Sequence, residues 1–261
     1  MTRLLENKNA IVYGAGGDIG GGVARTFARE GATVFLVGRT KQPLEAVAAA
    51  IKGEGGAAEV AVLDALDERS VEENVARVSK AGGVDVSFNL ITRGDVQQIA
   101  LVEMTTDDLM RAVTNGLKSN FITARAAARH MIRQGSGVIL HLNSGSAQGT
   151  MPMMGSTGPA DAATETFMRY LATEIGQFGV RVVGLYTAGV ADTLTREKLA
   201  KVGGGGGIDP ADVERAIAGM AMLRRAPRLA QVADTAAFLA SDRAAGITGT
   251  IVNVTCGLLP G

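Results

Sequence analysis

Cysteine occurs once, at Cys256, so no internal disulfide framework can form and a reducing compartment is expected. Histidine occurs twice, at His130 and His141, and with one cysteine this leaves no credible metal cluster. Neither sign of charge dominates: Lys plus Arg and Asp plus Glu number 26 each, so there is no basic stripe for nucleic acid. No stretch approaches the ~20 apolar residues of a membrane span. The opening MTRLLENKNA has no hydrophobic run long enough for a signal peptide. No internal repeat is present. A soluble cytoplasmic protein acting on a small molecule is expected, with no nucleic acid or membrane as partner.

What is present is enough for one large α/β domain over 1–261: 261 residues, 46% apolar and 20% charged. Its organising stretch is 8–39. A short apolar strand, 10–12, runs into a glycine cluster at Gly14, Gly16, Gly17, Gly20, Gly21 and Gly22. Val23, Phe27 and Ala28 then recur at helical spacing up to Gly31, and 33–37 is a second strand. Strand, glycine turn, helix and strand make the unit that cradles a dinucleotide pyrophosphate. Asp18 is expected to cap the helix. Where NAD enzymes of this plan carry an acid for the ribose 2′-hydroxyl, Gly38 stands here, followed by Arg39, Thr40 and Lys41. A guanidinium beside an empty pocket suits a 2′-phosphate, so NADPH is the expected cofactor; a solvated strand-end charge is the alternative for Arg39.

Further helices are expected over 43–51, 67–80, 107–133 and 162–176, and strands over 59–63, 84–90, 138–142, 180–185 and 250–254. This alternation implies a doubly wound parallel sheet of about seven strands with helices on both faces. The segment 189–222 holds the run Gly203 to Gly207, which is either a flexible part of a substrate lid or a linker without function.

These features together resemble the short-chain dehydrogenase/reductase family over essentially the full length. YGAGGDIG is similar to that family's TGxxxGxG, with Tyr13 in the threonine place and Asp18 in a glycine place. VAVLDALDERSV, VDVSFNLIT in the place of NNAG, and QVADTAAFLASDRAAGITGTIVNVTCG extend the likeness. The resemblance implies cofactor contacts at Gly14, Gly16, Gly17, Asp18, Ile19, Gly20, Arg39, Thr40, Asp64, Ala65, Asn89 and Asp161. It also implies a homo-oligomer, a tetramer, paired through 107–133 and 162–176.

At the catalytic centre the family's serine is present as Ser144. Counting on from it, the family's tyrosine place holds Thr157 and its lysine place Asp161; the helix asparagine falls on Gly116, beside Asn115. YxxxK has become TxxxD. A threonine hydroxyl is too weak an acid to protonate an alkoxide at neutral pH. A carboxylate at 161 reverses the local field. A C=N cation, by contrast, takes a hydride without a proton donor, and a carboxylate would stabilise it. Tyr186 is either another donor or a packing aromatic. Met151, Met153 and Met154 are either an adaptable pocket wall or core packing. His141 reads as a satisfied core histidine. Three readings therefore stand: an NADPH-dependent oxidoreductase with a rebuilt site, acting on an imine, an iminium or another substrate that needs no tyrosine acid; a nucleotide-binding pseudoenzyme; or a non-redox enzyme of lyase or addition chemistry using Asp161 as base.

Overall fold

A computed structural model describes residues 3–149, 152–202 and 209–259. The first half runs β1 (Asn9–Tyr13), α1 (Asp18–Arg29), β2 (Thr33–Gly38), α2 (Lys41–Gly53), β3 (Ala57–Val62), α3 (Glu68–Lys80) and β4 (Val86–Asn89). It continues as α4 (Thr106–Gln134), β5 (Gly137–Asn143), α5 (Thr157–Ile175), β6 (Val180–Tyr186), α6 (Arg196–Val202), α7 (Pro210–Met220), α8 (Leu229–Ala240) and β7 (Thr250–Asn253). The strands form one parallel sheet in the order β3-β2-β1-β4-β5-β6-β7. This is the doubly wound fold expected from the sequence.

The central strands bury both faces, because successive side chains point to opposite sides and helices cover each, whereas the edge strands β3 and β7 stay partly exposed. In β1, Ala10 and Val12 join the core layer of Val23, Phe27, Leu44 and Ala236, from α1, α2 and α8. Ile11 and Tyr13 join the opposite layer with Val75, Ala127 and Met168, from α3, α4 and α5. The chain order reverses between β1 and β4, so the connections leaving those strands diverge and open a crevice at their C-terminal ends.

The larger departures from the expected boundaries have local causes. The α5 helix starts at Thr157, five residues before 162. Pro159 sits in its first turn, where the missing N–H would have had no partner in any case. At the start of α1 the cap is Gly17, which is extended and has no side chain, and Asp18 is the first helical residue. The expectation that Asp18 caps the helix is therefore corrected: its carboxylate pairs sideways with Lys198 of α6. The Gly203 to Gly207 run lies outside the described residues, as does Met151.

Candidate active site

The glycine turn is pressed against the end of β4. Gly14 has φ +79°, and a Cβ there would lie 2.5 Å from the Leu90 carbonyl oxygen; a Cβ on Gly20 would collide with the Gly14 carbonyl. Only glycine permits this closeness. It leaves Gly16, Gly17 and the open N-terminus of α1 facing a cleft of about 470 Å3. The cleft is lined by Gly14, Gly16, Gly17, Asp18, Ile19, Gly20, Arg39, Thr40, Asp64 and Ala65, ten positions the sequence had singled out, and by Thr193 and Lys198 from 189–222. Arg39 is exposed at its mouth. One Asp64 oxygen accepts from the Leu66 N–H at 2.9 Å, fixing the loop after β3.

A second cavity of about 240 Å3 adjoins the first through Ile19, Ile91 and Thr92. Asn89, Arg93, Asp95, Asn143, Ser144 and Thr187 also line it. Asn89 is committed internally: its amide donates to Thr123 Oγ1 at 3.1 Å and its oxygen accepts from Ile91 N at 3.1 Å. It thus shapes the loop leaving β4.

Asp161 is fully buried and lines neither cavity. Its Oδ2 accepts from Ser144 N (3.1 Å), Ser144 Oγ (2.7 Å) and Ser146 N (3.1 Å), while its Oδ1 accepts from Arg93 at 2.6 Å. Arg93 also grips Asp95, through Nε at 3.2 Å and a terminal nitrogen at 2.7 Å. Burial works against the charge on Arg93, but the Asp95 and Asp161 carboxylates outweigh it and hold the guanidinium above its ordinary pKa. The reversed field expected around position 161 is therefore corrected: a cation stands 2.6 Å away, brought by the loop after β4 instead of by α5.

The same loop engages the neighbouring positions. Gln97 donates to Thr157 Oγ1 at 3.0 Å, and Thr157 is buried away from both cavities. Val96 N donates to Ser156 Oγ at 3.0 Å, and Gln98 N to the Met153 carbonyl at 2.8 Å. Gly116 makes this possible, since a Cβ there would lie 2.7 Å from Arg93 Cδ. Arg93, Gly116, Gln97, Thr157 and Asp161 thus form one interlocked set.

Tyr186 donates its hydroxyl to Glu165 Oε2 at 3.0 Å. Burial, and then that carboxylate, push its phenol up to about 12. Glu165 is buried as well and accepts from Asn143 at 3.3 Å. Met153 is exposed and Met154 half-buried, and neither lines the two cavities. His141 is buried but not satisfied: its Nδ1 has no partner, and burial drives its pKa down to about 4. Among the described residues no group of side chains could hold a metal ion.

The sequence reading passed over Arg93, Asp95, Gln97, Glu165 and Lys198. A signal for Arg93 existed. A carboxylate facing the start of a buried helix needs a counter-ion. Gly116 in place of a larger residue marks the space through which a long side chain passes.

The family described as "Enoyl-(Acyl carrier protein) reductase" matches residues 14–259. The chain is 32% identical to "Short-chain reductase protein NovJ" of Streptomyces niveus, over 97% of this chain and 95% of the relative. It is 30% identical to "3-oxoacyl-[acyl-carrier-protein] reductase FabG" of Pseudomonas aeruginosa, over 97% and 98% respectively. A solved 7 alpha-hydroxysteroid dehydrogenase, complexed with NADH and 7-oxo glycochenodeoxycholic acid, superposes with TM-score 0.85 at 28% identity, covering 98% of this chain and 96% of that one. No described helix is long and apolar enough to cross a membrane. With the glycine turn, the topological switch and the Ser144 loop all in place, the chain belongs to the short-chain dehydrogenase/reductase family of oxidoreductases.

Proposed function

We propose that the protein is an NADPH-dependent oxidoreductase acting on a C=N cation, an iminium or an imine that arrives protonated. The glycine cradle and the bare N-terminus of α1 fit a pyrophosphate, as a Cβ at Gly14 or Gly20 would close the turn. Gly16, Gly17 and Ile19 would hold the phosphates, Asp64 and Ala65 the adenine. Arg39 and Thr40 would meet a 2′-phosphate, for no acid stands at the end of β2. When bound, NADPH supplies a hydride, and a C=N cation that accepts it becomes a neutral amine with no proton required.

The observation that carries the substrate reading is the direction of the Ser144 hydroxyl. A carboxylate only accepts, so the 2.7 Å contact commits the Ser144 proton to Asp161. The Ser144 oxygen already receives Ser146 N at 3.2 Å, and Ser146 Oγ lies 2.7 Å away. Thr157 accepts from Gln97 and lies away from both cavities, and Tyr186 donates to Glu165. The hydroxyls that remain at the second cavity, on Thr92 and Thr187, are ordinary alcohols, too weakly acidic to protonate an alkoxide at neutral pH, which favours a substrate that needs no proton. Asp161, enclosed with both oxygens engaged, gives no support to the lyase reading.

The test is NADPH oxidation, followed by absorbance, with a panel of cyclic imines and matched ketones. Turnover of imines alone is expected; turnover of ketones at an equal rate would overturn the reading. A second reading, a nucleotide-binding protein without turnover, is favoured by the filling of positions 157 and 161 by Gln97 and Arg93. In that case NADPH binds and no member of the panel is reduced. The protein is further proposed to be a homotetramer paired through α4 and α5, where Phe121 is 40% and Tyr170 69% exposed.

A further inference from the structure

We infer that Asp95, and not Asp161, is the carboxylate that meets the cationic substrate. This rests on the imine reading above and assigns its recognition to one side chain. The second cavity adjoins the proposed cofactor cleft, so a molecule in it would lie beside the cofactor. Its lining includes two charged residues, Arg93 and Asp95, with Asn89, Asn120, Asn143, Thr92, Ser144 and Thr187 as neutral polar neighbours.

The two carboxylates held by Arg93 differ in what they have left to give. A carboxylate offers about four lone-pair sites. Asp161 spends at least one on Arg93 and meets three donors at Oδ2, with its side chain 0% exposed. Asp95 receives one N–H on each oxygen, both from Arg93, and its side chain is 15% exposed on the cavity wall. It therefore keeps an acceptor site on each oxygen.

Charge points the same way. Arg93 is one cation between two carboxylates, so the trio carries a net single negative charge; Arg93 and Asp95 both line the cavity, and of these two only Asp95 can accept. Arg111, whose stem passes Gly94, pairs its guanidinium with Asp108 at 2.8 Å. Asp161 then holds Arg93 in place from behind, and Asp95 presents the unbalanced charge. A small cyclic ammonium or iminium can fill the free acceptor sites of Asp95 with its N–H and its charge, which a neutral ketone cannot do.

The test is calorimetric titration of the whole chain with piperidinium chloride, which carries the charge but no reducible bond, alone and with NADP+. The wild type is expected to bind piperidinium and to ignore cyclohexanol of similar shape. Asp95→Asn leaves Arg93 with Asp161 and should fold; it should weaken piperidinium at least tenfold while leaving NADP+ affinity unchanged. Asp95→Glu keeps the charge and should retain binding within about threefold. Equal piperidinium affinity in wild type and Asp95→Asn, or no binding by the wild type, would overturn the inference. Asp95-dependent piperidinium binding without reduction of any imine would uphold the contact and defeat the catalytic reading instead.

Discussion

Removing Arg93 is the sharpest perturbation of this site. Arg93→Ala leaves Asp161 fully buried with three donors but without its cation, and frees Asp95 at the cavity wall. Breaking a buried pair by deleting one partner costs about 3–5 kcal/mol. The remaining donors on Asp161, and water access to the 15%-exposed Asp95, place this case near the lower end, about 3 kcal/mol. For a domain of this size roughly 2–4 °C is lost per kcal/mol, so the melting temperature should fall by about 6–12 °C. Urea unfolding followed by circular dichroism measures the free energy directly. Asp161→Asn alone should cost less, since Arg93 keeps Asp95, and the double variant should recover at least about 1.5 kcal/mol relative to the sum of the singles. Gly116→Ala tests the same packing from the other side, as its Cβ meets the Arg93 stem at 2.7 Å. A loss below about 1 kcal/mol in Arg93→Ala, or simple additivity in the double variant, would refute the claim that Arg93, through its pairs with Asp95 and Asp161, organises the site.

Other outcomes follow from the same geometry. NADPH should bind about tenfold or more tightly than NADH, a difference of about 1.4 kcal/mol, and Arg39→Ala should erase the preference in a fluorescence titration; equal affinities in the wild type would contradict it. Lys198→Ala should barely change stability, because both partners of its pair with Asp18 are near half-exposed, yet should weaken NADPH several-fold by leaving the Asp18 charge unbalanced beside the phosphates. Tyr186→Phe should cost about 1–2 kcal/mol through the loss of a donor to buried Glu165 while leaving turnover intact; a large fall in turnover with unchanged stability would make Tyr186 the acid after all. His141 is held neutral in the fold, with its pKa lowered from 6.5 to about 4, so the stability it contributes is complete above pH 6.5. That contribution should shrink as pH falls toward 4, by roughly 3 kcal/mol in all, and His141→Gln should flatten this part of the urea midpoint's pH dependence. Light scattering at micromolar concentration should give a tetramer mass; a monomer would exclude pairing through α4 and α5.

The amino-acid sequence alone determined the sheet, its parallel sense and the residues gathered at the cleft beside the glycine turn, because those depend on short-range patterns. Apolar runs of strand length, helical spacing and glycines at fixed offsets are read within about thirty residues of one another, and the ten predicted residues that line the larger cleft come from Gly14 to Ala65. Spacing also set Thr157 and Asp161 in the places where the resemblance expects a tyrosine and a lysine. What surrounds those two residues could not be read there, because it comes from another part of the chain. Arg93 lies 68 residues from Asp161, and Gln97 lies 60 from Thr157. Nothing in either local stretch announces the other. Only the sheet order, which sets β4 beside β5 and packs α4 against α5, carries the 93–98 loop onto the start of α5. Burial then decided the chemistry. Asp161 read as a carboxylate free to act becomes one enclosed by four donors, while Asp95, unremarked in sequence, is left with lone pairs facing a cavity. Charge and hydrogen-bond capacity are properties of a residue; what remains of them after its neighbours are satisfied is a property of the fold.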